Sequence, residues 1–250
     1  MHNTTSDTPI YRNWVSLKLV IVPGVLALGT AVLTAFYSWI MIFPVIFLLM
    51  MLYFVYARHL FSPEGKDMQA ELHFMLIEEI EWNGKGKALD IGCGNGALAI
   101  RLSKKYPEAQ VTGIEYRRFS EAICKQNAEI EGVSDRVSFK EGSIVELPFE
   151  DDEFDLVVSN LTFHEVIELR DRRELMEEAF RVLRHGGVFV FQDLFLTKKM
   201  FGNLDPMLKK LSSWGAKSVE FINLGESERI PSILRTPFMV GTIGIIKGKV

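Results

Sequence analysis

The run Ala88-Leu-Asp-Ile-Gly-Cys-Gly-Asn-Gly-Ala-Leu98 constrains the fold of this chain more than any other stretch. An apolar segment reaches one acid, Asp90, and then gives way to glycines at alternate positions, Gly92, Gly94 and Gly96. Glycine takes up backbone conformations closed to other residues and lets a second backbone or a ligand come near. A helical pattern follows from Ala97 to Tyr106. Strand, tight turn and helix in that order read as the opening unit of an open α/β sheet, with a small molecule over the helix N-terminus.

The alternation continues downstream. Strands are expected at Ala88–Ile91, Val111–Glu115, Val137–Glu141, Phe154–Ser159 and Val188–Gln192, and helices at Ala97–Tyr106, Phe119–Glu131 and Arg172–Leu183. A further helix is expected at Pro206–Trp214, with Asp205 as N-cap and Pro206 at its first position. Such alternation implies a parallel sheet covered on both faces. Ser218–Leu224 and Thr242–Lys249 complete the strands, and Ile230-Pro231 and Thr236-Pro237 break any helix between them. These two strands are therefore expected to pair antiparallel at one edge.

The front of the chain is different in kind. After a polar start (residues 1–14), residues 15–58 are apolar apart from Lys18, Arg58 and a few small or polar residues. As one helix, the roughly 42 apolar residues would reach about 63 Å, twice a bilayer core of about 30 Å. Two spans fit better, Leu17–Phe36 and Ile40–Tyr56, turning at Tyr37-Ser38-Trp39. Ala27, Ala31 and Ala35 form a small-residue stripe of the kind that brings two helices close. Arg12 and Lys18 flank one end and Arg58 and Lys66 the other, so both ends are expected on the cytoplasmic side of a two-pass cell-membrane protein. Residues 59–66, with Pro63 and Gly65, read as a linker, and residues 67–250 as a cytosolic domain. The first piece of that domain is an amphipathic helix from Asp67 to Trp82.

Composition narrows the function. The net charge is −4 across 250 residues, with no basic cluster, which argues against a nucleic-acid partner. Two cysteines, Cys93 and Cys124, supply neither a disulfide framework nor a cysteine metal site, and no metal is expected. The glycine turn alone leaves its ligand open. Gly92-x-Gly94-x-x-Ala97 also fits a relaxed dinucleotide fingerprint, with Glu115 about where a ribose-binding acid belongs. Asp90 separates the cases: its carboxylate beside the helix N-terminus would repel a pyrophosphate and attract a ligand carrying an ammonium and a sulfonium. Gly96 opens the turn further, and residues 139–159 join two strands through a short polar loop rather than a crossover helix.

On these pieces the chain resembles the class I S-adenosylmethionine-dependent methyltransferases, in particular the ubiquinone/menaquinone C-methylase-like branch. The matching segments are Asp90-Ile-Gly-Cys-Gly-Asn-Gly96, Val111-Thr-Gly-Ile-Glu115, Glu141-Gly-Ser-Ile144, Leu147-Pro-Phe149, Phe154-Asp-Leu-Val-Val-Ser159 and Leu183-Arg-His-Gly-Gly-Val188, in the family's order across residues 67–250. The resemblance implies a Rossmann-like seven-stranded, mostly parallel sheet with an antiparallel last strand. It implies S-adenosyl-L-methionine as cofactor, with Gly92, Gly94 and Gly96 passing under its methionine part and Asp90 in the polar surroundings. Glu115 would take both ribose hydroxyls, and Gly142, Ser143 and Ile144 would border the adenine. Ser143 stands where the family often has an acid. Asn160 would lie near the methionine ammonium and the methyl acceptor.

Methyl transfer from a sulfonium needs a base only where the acceptor must lose a proton. The candidates are His164 and Glu165, just past the fourth expected strand. Asn160-Leu-Thr-Phe163 lacks the Pro-Pro-aromatic run of enzymes that methylate nucleic-acid bases, and two cysteines are too few for arsenic methylation. The apolar hairpin favours a small, lipid-soluble acceptor such as a quinone, an isoprenoid or a phospholipid head group, beside a soluble acceptor with the hairpin as a tether. A nicotinamide-dependent oxidoreductase and a non-enzymatic cofactor-binding membrane protein remain open as other classes. Oligomeric state leaves no mark in the sequence.

Overall fold

The computed structural model describes residues 7–116 and 119–250, so the first six residues of the polar N-terminal stretch lie outside the described residues. The chain divides into two units, Arg12–Leu72 and a larger one of Met1–Tyr11 with His73–Val250.

Among the described residues the strands are β1 (Gly86–Ile91), β2 (Ala109–Glu115), β3 (Val137–Glu141), β4 (Phe154–Asn160), β5 (Leu183–Asp193), β6 (Ser218–Asn223) and β7 (Gly244–Lys249). The helices are α1 (Lys18–Leu33), α2 (Ile42–Leu60), α3 (Met68–Glu78), α4 (Ala97–Lys105), α5 (Glu121–Ile130), α6 (Glu174–Arg181), α7 (Lys198–Phe201) and α8 (Leu204–Ser213). All seven strands join one sheet in the order β3-β2-β1-β4-β5-β7-β6. β1 to β5 are parallel, and β7 runs antiparallel between β5 and β6. The Rossmann-like sheet and the antiparallel edge pair expected from the sequence are both present.

A central parallel strand has both faces covered and so reads as a continuous apolar run. Accordingly Ala88, Leu89, Ile91, Leu156, Val157 and Val158 are all buried. After β1 the chain winds outward through β2 and β3, then returns to build β4 and β5 on the other side. That reversal opens a crevice at the C-terminal ends of β1 and β4, where open α/β sheets bind their ligands.

Phe189 and Phe191, two residues apart on β5, share one face of the sheet. Phe180 of α6 lies 4.7 Å from the Phe189 ring, and Phe163 lies edge-on to Phe191 at 5.3 Å. Phe163 is fully buried and fixes the 3₁₀ turn Phe163–Glu165 that follows β4.

Some boundaries move. α8 begins at Leu204 after Asn203, so Asp205 falls inside the first turn and is not the cap. α3 stops at Glu78, short of Trp82. β5 starts at Leu183, ahead of the expected Val188, and so contains Gly186-Gly187. The register against β4 shifts between Phe154 and Leu156, and Gly186 has φ +82°, so the glycines serve an irregularity within the strand.

In the smaller unit the ends of the apolar hairpin are tied together: Asn13 Nδ2 donates to Arg58 O at 2.9 Å. The two helices differ from the expected pair of spans. α1 ends at Leu33 rather than Phe36 and holds Pro23; its 16 residues measure only about 24 Å. The stretch Ser38–Leu60, at 23 residues, is the one described helix long and apolar enough to cross a membrane. The contact face of α1 is also not the alanine stripe, because Ala31 and Ala35 are exposed. A Cβ on Gly24 would come within 3.0 Å of Met51 Sδ, so the close approach to α2 runs past Gly24 and the half-buried Ala27 and Thr30.

Candidate active site

The three glycines of the turn are required for different reasons. All have positive φ: +78° at Gly92, +55° at Gly94 and +83° at Gly96. A Cβ at Gly92 would strike Thr162 Oγ1 at 2.1 Å, and one at Gly96 would strike the Phe139 ring at 2.7 Å. Both positions are closed by the protein's own packing. Gly94 has nothing within 4 Å of its missing Cβ. The turn is thus packed at its two ends and open at its centre, which is the shape of a cradle.

Two carboxylates face that cradle. Glu115, ending β2, accepts from Gly94 N at 3.1 Å through Oε2 and from Tyr116 N at 2.9 Å through Oε1. Asp90, near the end of β1, is 1% exposed. Burial pushes its carboxyl up to about 7, the Ala99 N–H pulls it down, and the Glu115 charge pushes it further up. Its Oδ2 has no hydrogen-bond partner. A buried carboxylate oxygen without a donor is costly, so the site is complementary to a ligand that brings a donor or a positive charge. The thiols of Cys93 and Cys124 are buried behind the turn, and Cys124 donates to Gly94 O at 3.4 Å.

The second wall is the rim beyond β4 and β5. Asn160 ends β4 opposite Gln192 of β5, and its Oδ1 accepts from Gln192 Nε2 at 2.8 Å. Leu161 then turns with φ +51°, and Thr162 lies against Gly92. Next comes His164. Its Nδ1 donates to Asp193 Oδ1 at 2.8 Å, and its backbone N–H donates to Asp193 Oδ2 at 3.2 Å. Asp193 Oδ1 also accepts from Leu194 N at 2.6 Å. A carboxylate on Nδ1 fixes the ring's orientation and tautomer and leaves the Nε2 lone pair for chemistry. Burial works against the charged ring. The Asp193 hydrogen bond and charge, with the charge of Glu165, outweigh it and hold His164 above its ordinary 6.5.

Of the residues expected from the sequence, Asp90, Gly92, Gly94, Gly96 and Glu115 come together at the turn. Asn160 and His164 stand on the facing rim. Glu165 is exposed on the same 3₁₀ turn and acts on His164 only through its charge; the residue bonded to the ring is Asp193. Gly142 donates its N–H to Glu115 O at 3.2 Å, which brings the β3 loop beside β2. The Ser143 hydroxyl accepts from Val145 N and Glu146 N at 3.1 and 3.2 Å, so it is spent on turning that loop, while Ile144 is buried. Asp193, Gln192 and Thr162 were not singled out in the sequence. The available signal was an acid closing an apolar strand, as at Asp90.

A glycine cradle with an acid at the end of β1, set in a seven-stranded sheet with β7 antiparallel, is the fold of the class I S-adenosylmethionine-dependent methyltransferases. Residues 83–234 match the family described as "Methyltransferase domain", and the chain belongs to it. Sarcosine/dimethylglycine N-methyltransferase of Aphanothece halophytica is 33% identical over 141 residues, 56% of this chain and 50% of that protein. The chain spans about half the length of the curated relatives it matches. Geranyl diphosphate C-methyltransferase from Streptomyces coelicolor A3(2), solved with Mg2+, geranyl diphosphate and S-adenosyl-L-homocysteine, superposes with a TM-score of 0.59 at 13% identity, covering 74% of this chain and 81% of that one. The [4+2]-cyclase SpnF superposes with a TM-score of 0.53 at 20% identity, covering 71% and 78%. At these identities the likeness is one of fold, and a cyclase on the same fold means that activity must be argued from the site.

Proposed function

We propose that this chain transfers a methyl group from S-adenosylmethionine to a small acceptor whose proton is taken by His164, and that it works while held at a membrane. The observation that carries the reading is the unpartnered, buried Asp90 Oδ2 beside the open centre of the turn at Gly94. The residues present fit the cofactor. Asp90 offers a buried negative site to a cationic ligand, Glu115 offers two acceptor oxygens to a diol, and Gly94 leaves room for the chain between. Bound there, S-adenosylmethionine supplies a methyl group on a positively charged sulfur, an activated electrophile.

The protein's own residues then bind, orient and move one proton. Asn160, held by Gln192, and Thr162, seated on Gly92, keep the β4 rim fixed against the glycine turn. His164 Nε2 removes the acceptor's proton as attack begins, and Asp193 steadies the imidazolium that results. Enclosing walls supply the remainder by alignment and exclusion of water. The Aphanothece relative is named for sarcosine and dimethylglycine, which supports an acceptor of small-molecule size.

The apolar hairpin supports a membrane setting and, through it, a lipid-soluble acceptor. Ser38–Leu60 would reach about 34 Å, enough for a core of about 30 Å. Leu28, Trp39 and Leu49 are 73%, 78% and 62% exposed, more apolar surface than water tolerates. The basic residues Arg12, Lys18, Arg58 and Lys66 favour a cytoplasmic position for the N-terminus and catalytic domain.

The test is methyl transfer in native membranes carrying the full chain, with methyl-labelled S-adenosylmethionine followed by organic extraction. The expected result is label in the organic phase that disappears with His164→Gln. Label confined to an aqueous product would replace the lipid acceptor with a soluble one and leave the hairpin as a tether. A protein stabilised by S-adenosylhomocysteine that labels nothing would count against catalysis. One stabilised by NAD(P) alone would be an oxidoreductase.

A further inference from the structure

The glycine turn has a neighbour that the donor chemistry leaves unexplained. Ile10, from the N-terminal stretch, is bonded to it: Asn95 Nδ2 donates to Ile10 O at 3.0 Å. Asn127 of α5 completes the junction. Its Oδ1 accepts from Ile10 N at 2.7 Å, and its Nδ2 donates to Ile10 O at 3.1 Å and to Asn95 O at 2.9 Å. Three segments distant in sequence thus meet through a closed set of hydrogen bonds. Tyr11 adds a second hold. Its ring lies 5.5 Å from the Arg101 guanidinium, and its hydroxyl donates to Glu131 at 3.4 Å. Burial and the Glu131 charge raise the phenol's pKa, so it remains a donor at any working pH.

The burial of the two amides gives this junction its force. Asn127 is fully buried and Asn95 is 8% exposed. Without Ile10, the Asn127 carbonyl oxygen and the Asn95 amide would both lose a partner inside the protein, and buried polar groups without partners are costly. Asn95 sits between Gly94, the open centre of the cradle, and Gly96, the position closed by Phe139. Whatever holds Asn95 therefore sets the shape of the cradle.

We propose that Ile10-Tyr11 is a strap belonging to the donor site, and that Asn127 is the positioning residue that joins it to the glycine turn. Anchoring of the strap and binding of the donor strengthen each other, because each favours the same arrangement of Asn95. This rests on the reading of the glycine turn as the donor site. Residue 12 begins the unit that carries the apolar hairpin, so the strap is also the covalent lead from that hairpin to the turn.

The experiment uses the full chain in nanodiscs, with S-adenosylhomocysteine as the probe. Two quantities are measured: its Kd by calorimetry, and amide hydrogen exchange of the peptide covering residues 8–12. Wild type is expected to bind the probe, and binding is expected to slow exchange in the strap severalfold. Ile10→Pro removes the N–H that Asn127 accepts while leaving sheet and helices untouched. It is expected to weaken the probe roughly tenfold, the scale of one lost buried hydrogen bond. It should also raise KM for the donor with kcat preserved, whereas a merely structural role would lower only the melting temperature and leave the affinity of the folded protein unchanged. Asn127→Asp keeps the acceptor and loses the donors, and it should weaken the probe in the same sense. Equal affinity in wild type and Ile10→Pro, or strap exchange indifferent to the probe, would overturn the inference. A wild-type protein that does not bind S-adenosylhomocysteine at all would overturn the donor-site reading itself, and the strap's role with it.

Discussion

Asp90 and Asp193 sit at the C-terminal ends of β1 and β5, and each is 1% exposed. Their surroundings are opposite. Asp193 accepts from the His164 ring, the His164 backbone and the Leu194 backbone, so both of its oxygens are engaged. Asp90 leaves Oδ2 without any partner, and burial lifts its pKa to about 7. A buried acid whose partners are all internal has a fixed geometry. A buried acid with one oxygen unanswered has a charge state that its ligand decides. The rim at β5 is therefore complete in the protein alone, whereas the turn at β1 is completed by what binds.

That contrast can be broken at several points. The largest effect is expected from the completed side. His164→Gln keeps a polar side chain but removes the base, and kcat should fall by roughly 10²- to 10⁴-fold with donor affinity preserved. Equal turnover would show that the acceptor arrives already deprotonated. Asp193→Asn leaves His164 in place without its charged partner. It should lower kcat by about 10- to 150-fold, equivalent to one charge-assisted hydrogen bond. It should also return the acid limb of the pH–rate profile toward 6.5, because the interaction that holds His164 above that value is gone. On the open side, Glu115→Ala should weaken S-adenosylhomocysteine by about 1.5–3 kcal/mol in calorimetry.

The smallest and most specific effect belongs to Asp90. In the fold it holds its proton up to about 7, against 3.8 ordinarily, so over that interval the folded chain binds more protons than the unfolded one. Stability should consequently decline as pH rises from 3.8 toward about 7, and Asp90→Asn should flatten that slope in urea titrations. A cationic ligand reverses the preference by favouring the ionised acid. Donor affinity in the wild type should then rise as pH passes through about 7, with proton release on binding, and Asp90→Asn should abolish both.

The donor side was legible in the sequence because its parts are contiguous. Asp90 to Gly96 lie in one run, and Glu115 ends the next strand, so the logic of an open α/β sheet brings them together without further information. The acceptor side was legible only in part. His164 stands out by type and position, with Glu165 beside it as a second candidate base. The residue bonded to the His164 ring, Asp193, lies 29 residues on, and that contact depends on the register that sets Asn160 opposite Gln192. The inward anchor Phe163 fixes the turn on which His164 stands, and no local pattern announces that either. The junction of Ile10, Asn95 and Asn127 was invisible for the same reason. In the hairpin, hydropathy located the apolar stretch but not the helix ends. α1 ends at Leu33 and α2 begins at Ile42, although the apolar run continues between them.

Ile10 and Asn127 are 117 residues apart, which fixes an order of events during synthesis. At about 5–20 residues per second, the ribosome delivers Asn127 on the order of 10 s after the strap has emerged. The intervening apolar hairpin, residues 15–58, leaves the exit tunnel within that delay. Ile10 therefore waits, without its Asn127 partner, until α5 has been made, and the hydrogen bonds around Asn95 are complete only afterwards. The nascent chain reaches that moment with the apolar surface of the hairpin already made, a target for chaperones and proteases before it has any cofactor to bind.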